Sequence, residues 1–179
     1  IMSHYLGYEF IDAAEVIFFD ENGTFLSEKT NEELSERLAH TERAVIPGFY
    51  GSNPDGTIHT FSRGGSDITG SIVARAIHAD LYENWTDVSG FLVADPRIVE
   101  NPAPIETITY TELRELSYMG ASVLHEDAIF PVRKEGIPIN IRNTNRPEDP
   151  GTMVVENTSK RPHYTITGVA GKKGFCAVN

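Results

Sequence analysis

Six consecutive residues, Ser62-Arg63-Gly64-Gly65-Ser66-Asp67, combine side chains and backbone suited to gripping a small anion or zwitterion. Two adjacent glycines let main chain approach a ligand closely, and the N–H groups at a helix start favour negative charge there. Arg63 adds a planar fork for bidentate recognition of carboxylate or phosphate. Asp67, in the first turn of the helix that follows, is stabilised by the helix dipole and available to an ammonium group or other cation. The same residues also describe an ordinary capped helix, in which Ser66 or Asp67 caps, the glycines turn the chain and Arg63 is solvated. No Gly-Lys-Ser/Thr ending follows, which disfavours a P-loop.

A second group is Trp85-Thr86-Asp87-Val88-Ser89-Gly90 with Asp95-Pro96-Arg97. Thr86 and Asp87 end an expected strand, where main-chain and hydroxyl groups could meet a base or ribose, and Arg97 could reach phosphates. Two turns with Asx-type caps are the plainer account. The six histidines show no HExxH or paired spacing, which argues against a zinc site. His125 reads as a structural hydrogen-bonder, and the glutamate-rich face at 28–36 as a solvated helix surface.

These residues need a scaffold, and the hydrophobic pattern supplies one. Ile68, Ile72, Val73, Ala76 and Ile77 recur at helical spacing after the glycine pair, so 62–67 is loop feeding helix. Residues 9–12, 16–19, 81–85, 138–142 and 151–155 read as strands, and 27–40, 109–119 and 126–135 as helices; 44–50 is an apolar run of strand length broken by Pro47-Gly48, which suits a buried strand ending at a functional edge. Residues 21–24 and 51–56 are turn signals with hairpin returns at 25–26 and 57–61. Strands alternating with helices of about ten residues imply right-handed crossovers and a largely parallel sheet covered on both faces. The expected class is α/β, a three-layer α/β/α sandwich, with ligands beyond the carboxyl ends of the strands.

Composition narrows the partners. The chain has 179 residues, with 26 acidic side chains against 15 Lys plus Arg and a formal charge of −11. Such a field repels phosphate backbones and anionic lipid, and no basic patch offsets it, so neither nucleic acid nor a membrane is expected as a partner. No apolar run approaches the ~20 residues that span a bilayer. A single cysteine, Cys176, excludes an internal disulfide, suits a reducing cytoplasm and reads as a small core residue. The first residue is Ile, residues 1–7 read as the last turns of a helix stopped by Gly7, and 164–169 alternates like a strand before a glycine-rich turn. Both ends read as cut, so the chain is expected to be a piece of a longer protein.

Taken together, the segments resemble the aspartate kinase family of the amino-acid kinase superfamily. The matching residues are Phe61-Ser62-Arg63-Gly64-Gly65-Ser66-Asp67, Trp85-Thr86-Asp87-Val88-Ser89-Gly90, Asp95-Pro96-Arg97, the 115–125 stretch Glu-Leu-Ser-Tyr-Met-Gly-Ala-Ser-Val-Leu-His, and Gly151-Thr152. The resemblance implies an amino-acid kinase fold, incomplete at its N-terminus, over residues 1–158. It also implies a linker and the first strand of a regulatory ACT domain over 159–179.

The implied reaction is transfer of the γ-phosphoryl group of MgATP to the side-chain carboxylate of L-aspartate, at the head of lysine, threonine and methionine biosynthesis. By resemblance Arg63 clamps the substrate's α-carboxylate. Asp67 meets its ammonium group or orients an active-site lysine, and Gly64, Gly65 and Ser66 shape the wall. Thr86, Asp87, Leu92, Arg97 and Ser122 belong to the nucleotide pocket by the same resemblance, although many relatives have tyrosine at the place of Leu92 and lysine at that of Ser122. The family's Lys-Phe-Gly-Gly segment has no counterpart here, so the isolated chain is expected to be inactive. A homo-oligomer is expected of the full-length protein. The rival readings are another kinase of the superfamily, acting on glutamate, acetylglutamate or a nucleoside monophosphate, and a non-catalytic amino-acid-binding fragment.

Overall fold

A computed structural model describes residues 1–118, 124, 129–158 and 166–171. The chain forms two compact units: Ile1–Asp80 with Asp127–Glu135, and Leu81–Glu126 with Gly136–Asn179. Ser122, His125 and Cys176 lie outside the described residues.

In the first unit, α1 (Met2–Leu6) stops at Gly7, which adopts the left-handed conformation at φ 69°. β1 (Glu9–Phe10) pairs in parallel with β2 (Ala44–Val45). Helix α2 (Ala13–Val16) then replaces the start of the strand expected at 16–19. The Asp12 carboxylate accepts the Ala14 N–H at 3.0 Å, and this cap with two alanines behind it outweighs the apolar run that follows. Only Phe18 and Phe19 keep sheet-like bridges, to Ser52 and Phe25. The turn at 21–24 forms as expected, with the Asp20 carboxylate accepting the Asn22 and Thr24 N–H groups at 2.8 and 2.7 Å.

Helix α3 (Ser27–Leu38) buries Thr30 and Leu34. The apolar run at 44–50 is broken at its Pro-Gly, as expected, into β2 and β3 (Tyr50–Ser52). β3 forms the expected hairpin with β4 (Ile58–Thr60). Helix α4 (Gly65–Ala76) buries Ile68, Thr69, Ile72 and Ala76 and packs on α3 and α6 (Ile129–Lys134). Arg75, 7% exposed, ties these helices together: its guanidinium meets Ser27 Oγ at 2.9 Å, Glu28 at 3.2 Å and Glu135 at 3.5 Å. A buried guanidinium is tolerated only when its donors are engaged in this way.

The second unit is built on a four-stranded sheet in the order β5 (Tyr82–Thr86), β7 (Ile139–Asn143), β8 (Thr152–Val155), β6 (Thr107–Thr109). β5 with β7 and β6 with β8 are parallel, and β7 with β8 is antiparallel. This is the mixed α/β, mostly parallel pairing that the sequence implied. Helix α5 (Tyr110–Tyr118) follows β6 directly through a capping box: Glu112 accepts from the Thr109 N–H at 2.9 Å while the Glu112 N–H donates to Thr109 Oγ1 at 3.3 Å. Ile108, Leu113, Ile139, Ile141 and Val154 are fully buried and form the core of this unit. The strand expected over 164–169 is absent from Ile166 onward, where the backbone is irregular. Its Val169 N–H instead donates to the Val93 carbonyl at 2.7 Å, and Thr167 Oγ1 donates to Glu112 at 2.7 Å.

Candidate active site

The glycine pair opens α4 as the sequence implied. Gly64 is the N-cap, left-handed at φ 60°, a conformation that costs glycine little. A side chain on Gly65 would stand 2.7 Å from Phe49 Cα and 3.0 Å from Phe61 Cβ, so only glycine lets the helix start pass beneath the 47–50 turn. Gly48 does the same from the other side, its hydrogen facing Ser66 Cα where a Cβ would lie at 3.0 Å. The turn is pinned by one hydroxyl: Thr69 Oγ1 accepts the Phe49 N–H at 3.1 Å and donates to the Gly65 carbonyl at 2.7 Å. Phe49 is held at φ 73° with its ring largely exposed. A bulky residue in that region is an outlier that the surroundings must enforce.

Arg63 and Ser66 are exposed and Asp67 half-buried around this helix start. Arg63 makes no hydrogen bond or ion pair among the described residues. An unengaged guanidinium beside a helix N-terminus leaves its bidentate edge available to an incoming carboxylate.

The second unit carries a cavity of about 1340 Å³. Its wall runs from Val88 to Val99 and takes in Pro104, Leu116, Arg146, Asp149 to Gly151, and 169–171. Thr86 and Asp87 stand at the end of β5, immediately before this wall begins. Leu92 bridges to Pro104, and with Leu116 and Val169 they give one apolar side. Arg97 lies on the wall with its fork on Asp95, Nε at 3.0 Å from both oxygens and Nη2 at 2.6 Å. That hydrogen-bonded guanidinium holds the Asp95 carboxyl below the usual carboxylate range.

Two glycines shape the cavity mouth. Gly90 (φ 98°) abuts Thr152, with 2.3 Å between an added Cβ and Oγ1, and Gly151 (φ 72°) lies against the Ile141 carbonyl. The loop after β5 is fixed by buried Asn143, whose Nδ2 donates to Ser89 Oγ at 2.9 Å, while Ser89 donates to Asp149 at 2.6 Å.

The expected residues therefore fall into two groups, Arg63 to Asp67 in the first unit and Thr86, Asp87, Leu92 and Arg97 in the second. Sequence alone assigns no role to Phe49, Thr69 or Asn143, although it marks a functional edge at 47–50 and a polar loop at 143–150. The Pro47-Gly48 pair and the polar run after β7 were the available signals.

The sequence matches the family model described as "Amino acid kinase family" over residues 2–143. Aspartokinase 3 of Bacillus subtilis is 50% identical over 136 residues, 75% of this chain and 29% of that protein. The aspartate kinase structure of Clostridium acetobutylicum is similar with a TM-score of 0.85 and 61% identity, covering 94% of this chain and 38% of the other. The structure of aspartokinase III from E. coli in complex with aspartate and ADP has a TM-score of 0.76 at 30% identity, covering 84% and 35%. The chain thus spans well under half the length of these relatives. With a glycine-opened helix, a strand-end Thr-Asp pair and a family match over most of its residues, the chain belongs to the amino acid kinase family.

Proposed function

We propose that this chain is the part of an aspartate kinase that grips the amino acid with its first unit and the nucleotide with its second. The observation that carries the reading is the built helix start, where Gly64 is left-handed and Gly65 is packed too tightly for any side chain, while the neighbouring Arg63 is unengaged among the described residues. That combination suits a small zwitterion: Arg63 takes the α-carboxylate, the α4 N–H groups add to its field, and Asp67 faces the ammonium group. Gly64, Gly65 and Ser66 form the wall. The similarity to an E. coli aspartokinase solved with aspartate and ADP supports both ligands.

Thr86 and Asp87 then serve the nucleotide, Leu92 packs on its base, and Arg97 faces its phosphates. Mg²⁺ travels with the polyphosphate, which it binds while keeping several waters. The substrate's β-carboxylate is already ionised, so one of its oxygens attacks the γ-phosphorus as the bond to the β-phosphate oxygen breaks. ADP departs and an acyl phosphate remains. The residues of each unit orient the anion they bind and offset its charge, which is where phosphoryl transfer gains its rate. Ser122 belongs to the same proposal, as do the 158/159 domain boundary, a cytoplasmic location and a homo-oligomeric full-length protein.

Hydroxylamine trapping tests the reading on the full gene product. Aspartate and MgATP together should give an acyl hydroxamate, and neither alone should. Turnover with glutamate, acetylglutamate or a nucleoside monophosphate in place of aspartate would overturn it. The isolated 179-residue chain should give no hydroxamate, because it spans well under half the length of the aspartate kinases it matches.

A further inference from the structure

We propose that Arg146, on the loop after β7, is a second cation for the nucleotide's phosphates, held in readiness by Asp149; this rests on the second unit's cavity being the nucleotide's. Both arginines on the cavity wall have an aspartate beside them, but they are held differently. Arg97 engages Asp95 through Nε and Nη2 together, at 2.6 to 3.0 Å. Arg146 comes no closer to Asp149 than 3.3 Å, at Nε, with 65% of its side chain exposed. Its guanidinium forms no hydrogen bond among the described residues.

Five N–H donors in a fixed fork are therefore almost wholly available on the wall of a cavity that a polyphosphate would enter. An exposed ion pair without a hydrogen bond is weak, whereas phosphate oxygens accept the fork in parallel pairs. Exchange does not strand the carboxylate. Asp149 Oδ2 keeps the Ser89 hydroxyl at 2.6 Å, and Ser89 Oγ keeps the Asn143 amide at 2.9 Å. Asn143 is buried and also accepts the Asn145 N–H at 2.9 Å, which fixes the loop directly before Arg146. The arrangement is a loop anchored by a buried amide, a carboxylate anchored by a hydroxyl, and a guanidinium left to choose between that carboxylate and a ligand.

Calorimetric titration of the full gene product with MgATP, and separately with adenosine, tests this. Arg146→Ala should weaken MgATP binding roughly tenfold or more, the scale of a lost charge-assisted hydrogen-bonded contact, and leave adenosine affinity unchanged. Arg146→Lys should fall between, since it keeps the charge and loses the fork. Asp149→Asn, which can still accept from Ser89, should tighten MgATP severalfold. Unchanged MgATP affinity in Arg146→Ala overturns the inference, and so does an equal loss for adenosine, which would make Arg146 a support of the loop. If the wild-type protein binds neither ligand, the nucleotide reading of the cavity falls and this inference with it.

Discussion

The two candidate sites position their arginines in opposite ways. Around Arg63 the backbone is rigidly specified by Gly48 and Gly65 in close contact, one hydroxyl bridging Phe49 and Gly65, and a phenylalanine at φ 73°, while the arginine itself has no partner among the described residues. Around Arg97 and Arg146 the surrounding side chains are the specified part: an aspartate stands beside each guanidinium, closely bound to Arg97 and loosely to Arg146, and the loops are tied by Asn143, Ser89 and Thr152. The difference matches the proposed ligands. A small zwitterion offers few atoms, so its site gains from main chain fixed beforehand. A polyphosphate brings enough charge to exchange one ion pair for another.

Four measurements would break or sharpen this contrast. The largest effect is expected at Gly90, where alanine would add a Cβ 2.3 Å from Thr152 Oγ1 in a backbone of φ 98°. Overpacking and left-handed strain together should cost about 3 to 5 kcal/mol in urea denaturation. Arg63→Ala should weaken aspartate binding by about 2 to 5 kcal/mol, read by calorimetry on the full gene product. Nucleotide affinity should stay put, and an unchanged aspartate affinity would remove Arg63 from its role.

Thr69→Val is a subtler break. It keeps the shape but leaves the Phe49 N–H without its acceptor, so about 1 to 3 kcal/mol of stability should be lost, with aspartate affinity falling as the turn loosens. Retained aspartate affinity would show that the turn is not part of the amino-acid site.

The smallest effect concerns Asp95. Its carboxyl is lowered by the Arg97 hydrogen bonds, so the pair adds stability above the unfolded value near 3.9 and loses it as pH falls through the lower folded value. The stability difference between wild type and Arg97→Ala should be level above about pH 5 and shrink on further acidification. A difference that grows on acidification would reverse the assignment.

How far these features could be read from sequence depends on how local their causes are. Helix α4 was legible because five apolar residues recur at its period and the glycines mark its start. The hairpin of β3 and β4 was legible from its turn residues. Helix α2 was not, since Val16-Ile17-Phe18-Phe19 imitates a strand and the decisive cap is one carboxylate at Asp12. β6 escaped because three residues running straight into a helix leave no alternation to detect.

At the site, Arg63 and Arg97 stood out by residue type and neighbours. Phe49's positive φ arises from contacts with residues 12 to 20 positions away. The anchoring role of Asn143 needs Ser89, 54 positions earlier. The Pro47-Gly48 pair and the polar run after β7 mark a turn and a loop in the sequence, but not these partners.

The path of the chain has a consequence for how the protein is made. Helix α6 belongs to the first unit, yet it is encoded after β5, β6 and α5 of the second. A nascent chain that has emerged only as far as Asp80 lacks Ile129 and Val132 to cover α4, and Arg75 lacks Glu135. The first unit therefore cannot finish folding as it leaves the ribosome. It must wait with an apolar helix face open until some fifty further residues have been translated, a window in which a chaperone would find its natural substrate.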